Sequence, residues 1–187
     1  MQKSIPLSAK CITDGSSLLG VLNGGSDYRT VDTRNNSSMM NPGLYVGVIG
    51  FDTSEIANLS SACTLTGVKL TYQQRVNPEN GLSGSASGWR LRPYALKTYQ
   101  KNGTSLSVSN SAALGGEKTT TEASDNWKDK TADFSLTNAS AFTFGRDMLG
   151  VSAYAYLTYK YAWQEVHMRY LSAYVTYTAR YYARFYN

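Results

Sequence analysis

Charge is scarce in this chain. Asp, Glu, Lys and Arg make up 17% of its 187 residues, where ordinary globular domains carry about 25%. Neutral polar side chains must therefore do most of the solvating, and Ser, Thr, Asn and Gly are abundant. Proline is rare, and glycine follows no period, which excludes a collagen-like rod. The two cysteines, Cys11 and Cys63, stand too far apart for a C-x-x-C metal or redox motif. They suit a reducing cytosol as thiols, although in a secreted protein they could pair. No window approaches the ~18 apolar residues of a membrane helix. After Met1-Gln-Lys3 no apolar run of secretory length follows, so no signal peptide and no membrane insertion are expected. The net charge of +5 is spread over both halves, with one mild basic stripe of Lys160, Arg169, Arg180 and Arg184 against Glu165. Nucleic-acid binding wants its cations gathered on one face, so no nucleic-acid partner is expected.

What the chain does have is rings. It holds 15 Tyr, 5 Phe and 3 Trp, and ten of the tyrosines follow residue 150. In Val151-Ser-Ala153-Tyr-Ala155-Tyr-Leu157-Thr-Tyr159 and in Leu171-Ser-Ala173-Tyr-Val175-Thr-Tyr177 small apolar residues alternate with Tyr, Ser and Thr. A period of two places one set on each face of a strand. Leu44–Phe51, apolar on both faces, reads as a central strand. Thr64–Gln74 alternates with a bulge expected at Gly67. Trp89–Leu96 is a strand that Pro93 should confine to an edge or break. Leu106–Val108, Phe134–Leu136 and Phe142–Phe144 are short strand candidates. Turn chemistry clusters at 77–81, 84–88, 101–103 and 113–116. Helix is expected for at most one turn within 52–59 and another within 121–130. Short strands separated by turns predict an all-β antiparallel sandwich, and about eight strands fit a jelly roll. Residues 1–43, rich in Ser, Asn and Gly, read as an extended arm plus a possible first strand, and 44–187 as the sandwich domain.

Catalytic signatures are missing. There is no Walker loop, H-E-x-x-H, dinucleotide fingerprint or EF-hand. The patch Gly84-Ser-Ala-Ser-Gly88 fails as a nucleophile elbow, since its centre is Ala86. A histidine-based hydrolase would have to be built around His167, the sole histidine, with Glu165 on the same strand face. Asp125, Asp129 and Asp133, spaced by four, fit a helical face, a calcium loop or a solvated loop. No set of three or four metal ligands assembles, so no catalytic residue, metal or cofactor is assigned. The tyrosines at even positions, Tyr154, Tyr156, Tyr170 and Tyr174, would form a ladder on one sheet face, while Tyr159, Tyr161, Tyr177 and Tyr181 line or cap the core. With Trp89, Trp127 and Trp163 the even-position rings are candidates for a subunit interface or a glycan platform, since such rings offer flat apolar area with a polar tip.

Phe51-Asp-Thr-Ser-Glu-Ile56 followed by Ala62-Cys-Thr-Leu-Thr-Gly-Val-Lys-Leu70 resembles the F-D-x-S-x-I … A-x-[IL]-T-x-V-x-L signature of jelly-roll domains in phage tail proteins and bacterial surface proteins. Trp127–Leu136 is similar to their W…F-x-L segment, and Leu171-Ser-Ala-Tyr-Val-Thr-Tyr177 to their closing strand. The resemblance spans about residues 44–178 and carries no catalytic residue across. In its own chemistry the first motif is a structural turn, in which Asp52 and Ser54 bond back to the backbone while Phe51 and Ile56 anchor it to the core. What the resemblance implies is a non-enzymatic virion protein, of a tail tip, fibre or capsid decoration. Such a protein would be made in the host cytoplasm, form homo-oligomers with other virion proteins as partners, and have attachment to a host-surface glycan as a further role. The alternative is a carbohydrate- or receptor-binding module using surface Trp and Tyr. Behind both comes a glycan hydrolase in the same sandwich.

Overall fold

A computed structural model describes residues 1–13, 26–32, 43–59, 62–78, 87–157 and 163–179, with the backbone alone at 26–32, 77–78 and 163. The described elements are strands β1 (Gln2–Ile12), β2 (Ser26–Asp32), β3 (Gly43–Phe51), β4 (Thr64–Pro78), β5 (Ser87–Asn102), β6 (Ser105–Ala113), β7 (Lys118–Glu122), β8 (Lys128–Phe134), β9 (Met148–Leu157) and β10 (Trp163–Thr178), with single 3-10 turns at Ser54–Ile56 and Ala139–Ala141. Hydrogen bonding runs β1-β10-β4-β8 in one sheet and β3-β9-β5-β6 in the other. Two four-stranded sheets in this order are a jelly roll, the all-β antiparallel sandwich that the two-residue rhythm predicts. β2 extends the first sheet beside the N-terminal half of β10, and β7 extends the second beside the start of β5.

β1 joins the sheets. Gln2–Ser8 pair with β10, after which Ala9–Ile12 cross to pair with β3, and Ile12 also meets Ser105 of β6. The early strand within residues 1–43 is thus shared between the two sheets. Its crossing closes β3, β9, β5, β6 and β1 into a ring around a small second core of Cys11, Leu96, Leu106 and Met148. The main core lies between the sheets and takes the alternating residues of both closing strands: Val151, Ala153, Ala155 and Leu157 from β9, and Leu171, Ala173, Val175 and Tyr177 from β10.

Several local expectations change. β5 runs through Pro93 without interruption, in the middle of its sheet and not at an edge. Its neighbour on one side changes from β7, which pairs up to Leu91, to β6, which pairs from Tyr94. Pro93 stands at the handover, where no ladder donor is required, while its carbonyl accepts from the Leu114 amide at 2.9 Å. β3 is not a central strand: it ends the β3-β9-β5-β6 run, and β1 flanks it only at Ile49–Phe51. Its second half, Ile49–Phe51, is buried where β1 pairs alongside it, whereas Leu44 and Tyr45 in the first half are exposed. Residues 121–130 form no helix but the end of β7, a turn and the start of β8. Phe142-Thr-Phe144 is not a strand. Its two rings plug the core edge-to-face at 5.1 Å, and Phe144 reaches Tyr177 at 5.3 Å. At Gly67 the β4–β10 register slips, so the bulge stands where the broken alternation puts it.

Close approach explains Gly88. A Cβ there would lie 1.7 Å from the Thr120 carbonyl oxygen, so β5 and β7 could pair only by moving apart. Beside it a buried polar layer ties the sheets together. Gln74 donates to the carbonyls of Ser87 (3.2 Å) and Thr120 (3.4 Å) and accepts from the Thr120 hydroxyl at 3.1 Å. Tyr72 meets the same hydroxyl, and Ser87 donates to Gln164. In the Phe51–Ile56 turn the Ser54 amide donates to Asp52 Oδ1 at 3.0 Å, a bond that holds the Asp52 carboxyl below its ordinary range, and Phe51 and Ile56 are buried.

Candidate functional site

The outer face of the β1-β10-β4-β8 sheet is built by a change of phase in β10. Before residue 169 the even positions Gln164, Val166 and Met168 point inward; after it the odd positions Leu171, Ala173 and Val175 do. The switch is a bulge. Arg169 pairs with Gln73 and Ser172 with Thr71, so Tyr170 and Leu171 together oppose Tyr72. Tyr170 takes φ of +55°, the one positive value at a non-glycine among the described residues, and the residue is 56% exposed. The left-handed region is unfavourable for a bulky side chain.

Around this bulge the side chains are braced. Arg169 Nε donates to Gln73 Oε1 at 2.8 Å, and Gln73 Nε2 donates to Asp129 Oδ1 at 2.9 Å, a chain running across three strands. The Arg169 guanidinium lies 4.1 Å from the Trp127 ring centre and 4.9 Å from that of Tyr170. Arg75 covers Trp127 at 4.9 Å, and His167 meets it edge-on at 6.2 Å. Cation–aromatic contacts of this kind are worth about 0.5–2 kcal/mol each. Next to the bulge a cleft of about 360 Å³ is lined by Thr71, Gln73, Asp129, Thr131, Lys130, Tyr72 and Tyr170.

The even-position tyrosines do not share one face. Tyr170 and Tyr174 lie on this sheet, Tyr174 under Lys69 Nζ at 5.2 Å, whereas Tyr154 and Tyr156 belong to β9 in the other. The single ladder fails because the two closing strands enter different sheets. Tyr154 packs over Gly43, where a Cβ would meet its ring at 2.0 Å. Tyr156 is buried, with the Arg90 guanidinium 4.7 Å from its ring centre. Trp89 is wholly buried and cannot serve as a surface platform, because position 89 faces inward between Ala155 of β9 and Thr120 of β7. Trp127 is half-buried, the Trp163 side chain lies outside the described residues, and so do Tyr159, Tyr161, Tyr181, Lys160, Arg180 and Arg184. Asp129 and Asp133 are exposed on β8, and among the described residues no three His, Cys, Asp or Glu side chains gather as a metal site. Gln73 and Arg75 escaped sequence reading as site residues, and Arg169 was read only as part of a basic stripe. Their signal was the odd-position polar run Lys69, Thr71, Gln73, Arg75 on β4, and only the cross-strand register shows what those side chains meet.

His167 and Glu165 do share a face, Nε2 to Oε2 at 3.2 Å. Burial lowers the His167 pKa; the Glu165 bond pulls it up and Arg75 pushes it down, leaving it below the ordinary value of 6.5. The unfolded chain then binds the proton more readily, so this group's contribution to stability is complete above pH 6.5 and declines as pH falls toward the folded pKa. The thermal midpoint should drop between pH 7.5 and 5.0, and by less in His167→Gln. Equal drops would contradict this assignment.

No protein-family model matches the chain, and no curated protein matches it. Solved structures similar to it include one of Desmodium yellow mottle tymovirus (12% identity, 99% of this chain and 91% of that chain, TM-score 0.30). Another is the 60-mer BFDV capsid protein (10% identity, 99% and 98%, TM-score 0.29). A third is infectious bursal disease virus Gx strain (8% identity, 95% and 37%, TM-score 0.31). At such scores these likenesses carry no argument; the fold rests on the strand order itself.

Proposed function

We propose that this chain is a non-enzymatic structural protein of a virus or phage-like particle, in a tail tip, fibre or capsid decoration, and that it works by self-assembly. The observation that carries the reading is the first half of β3. Gly43–Gly50 pair with β9 on one side; on the other, among the described residues, β1 bonds at Ile49–Phe51 and Thr13 bonds Val48. Leu44 and Tyr45, successive residues and so on opposite faces of the strand, are 45% and 57% exposed. A sheet edge with apolar groups on both sides is a template for another chain, and monomers normally blunt such edges with charge or proline. Here neither stands between Gly43 and Phe51, and the one register slip of β3 against β9, between Tyr45 and Gly47, falls after the two exposed residues. The motifs resembling virion jelly-roll domains, and the low charged fraction of the chain, support the same reading.

The test compares the full chain with a Leu44→Lys, Tyr45→Lys double variant by sedimentation velocity. The native chain should sediment as an oligomer and the variant largely as a monomer with an unfolding midpoint close to native, since both residues are exposed and the bond lost is that of the Tyr45 hydroxyl to Thr13. Identical sedimentation of the two would remove the edge from the account.

A further inference from the structure

We propose that the cleft beside Tyr170 is a binding subsite for a neutral pyranose sugar. The inference is independent of the assembly reading, because it concerns the outer face of the β1-β10-β4-β8 sheet and not the β3 edge.

Three observations converge there. First, the chain holds Tyr170 in a backbone conformation that bulky side chains avoid, and the result is a projecting, exposed ring. Retained strain of this sort is a pointer to function, since glycine would fill the bulge without it. Second, the cleft that Tyr170 lines is otherwise mostly polar, and part of that lining is already positioned. Gln73 is fixed by Arg169 and in turn fixes one oxygen of Asp129, with Thr71 and Thr131 in the adjacent cross-strand row. A carboxylate beside an amide, with hydroxyls next to them, matches the vicinal hydroxyls of a sugar, while an aromatic ring takes its C–H face. The cleft, about 360 Å³ and open to solvent, has room for one sugar ring seated on the sheet surface.

Third, the cations at the cleft are committed elsewhere, which selects against an anionic ligand. Arg169 is engaged by Gln73 and by two rings. Lys130 donates to Glu122 at 2.8 Å and to the Thr121 carbonyl at 2.9 Å. Asp129 remains as an exposed negative group lining the cleft. Phosphate, sulfated sugars and sialic acid would meet that carboxylate with no uncommitted cation from these two residues to offset it.

The test titrates the full chain with the methyl glycosides of glucose, mannose, galactose and N-acetylglucosamine at millimolar concentrations, followed by amide and side-chain NMR shifts, with sialic acid and inorganic phosphate as the anionic arm. At least one neutral glycoside should give saturable shifts centred on Thr71, Gln73, Asp129, Thr131 and Tyr170. Tyr170→Gly should weaken that binding at least tenfold while the unfolding midpoint holds or rises, because glycine adopts the bulge conformation freely. Tyr170→Asn, which also tolerates that region, should do the same if the glycine variant is poorly behaved. Asp129→Asn should weaken binding several-fold. The proposal is overturned if none of the four glycosides shifts these residues, if both Tyr170 variants bind as the native chain does, or if the anionic ligands bind in preference.

Discussion

Replacing Asp147 with alanine is expected to cost about 3–5 kcal/mol of stability, the range for removing one partner of a buried ion pair. Its carboxylate is fully buried immediately before β9 and gathers three donors: Lys97 Nζ at 2.5 Å, Arg146 Nε at 2.9 Å and the Thr143 amide at 2.7 Å. Lys97 also donates to the Ala141 carbonyl, so one ion cluster fastens β5 to the loop that carries Phe142 and Phe144 into the core. Burial pushes the Asp147 carboxyl up, but the bonds from Arg146, Lys97 and Thr143 outweigh it and hold the pKa below the usual range. Its contribution is therefore present above the unfolded pKa of about 3.9 and is lost as pH falls through the folded value. Urea unfolding at pH 7 measures the loss. Asp147→Asn should recover part of it, since an amide can still accept from the Thr143 N–H. An alanine variant within about 0.5 kcal/mol of native, the span of ordinary surface substitutions, would show the cluster to be ornamental.

Trp89→Ala should be comparably severe, at about 3–5 kcal/mol for a buried Trp truncated in a packed core. The indole is among the largest fully buried side chains, set in β5 between Ala155 and Thr120. Small residues stand next to it on β9, Ala153 and Ala155, and cannot swell to fill the space. Loss of cooperative unfolding, or a midpoint far below native, is the expected outcome by circular dichroism. A native midpoint would mean that the two sheets do not pack on this residue. The same experiment separates core from surface among the tryptophans, because half-buried Trp127 should cost much less when truncated.

The sandwich was legible in the sequence because its closing strands alternate over long runs, and a two-residue period has a single structural meaning. The turn at Phe51–Ile56 and the bulge at Gly67 were legible for local reasons: an Asx side chain bonding two residues on, and an interruption of alternation at a glycine. Burial of Trp89 was not legible. A large ring beside arginines on a strand is read from its own strand, whereas its neighbours come from β9 and β7, far along the chain. The separation of Tyr154 from Tyr174 failed for the same reason, since identical alternation in β9 and β10 says nothing about which sheet each strand enters. Pro93 shows a subtler limit. A proline forbids a ladder bond on one side only, and a strand whose neighbours change at that point satisfies the rule while remaining central. The brace of Arg169, Gln73 and Asp129 needed the register of three strands, which no single segment encodes.

Association between copies is what the account stands or falls on, and the molar mass of the full chain in solution, by light scattering across a wide concentration range, tests it most directly. A discrete multiple of the 20.5 kDa chain mass, or a rise to one with concentration, is the predicted result. A mass of one chain at every concentration, with the β3 edge accessible to solvent throughout, would contradict it.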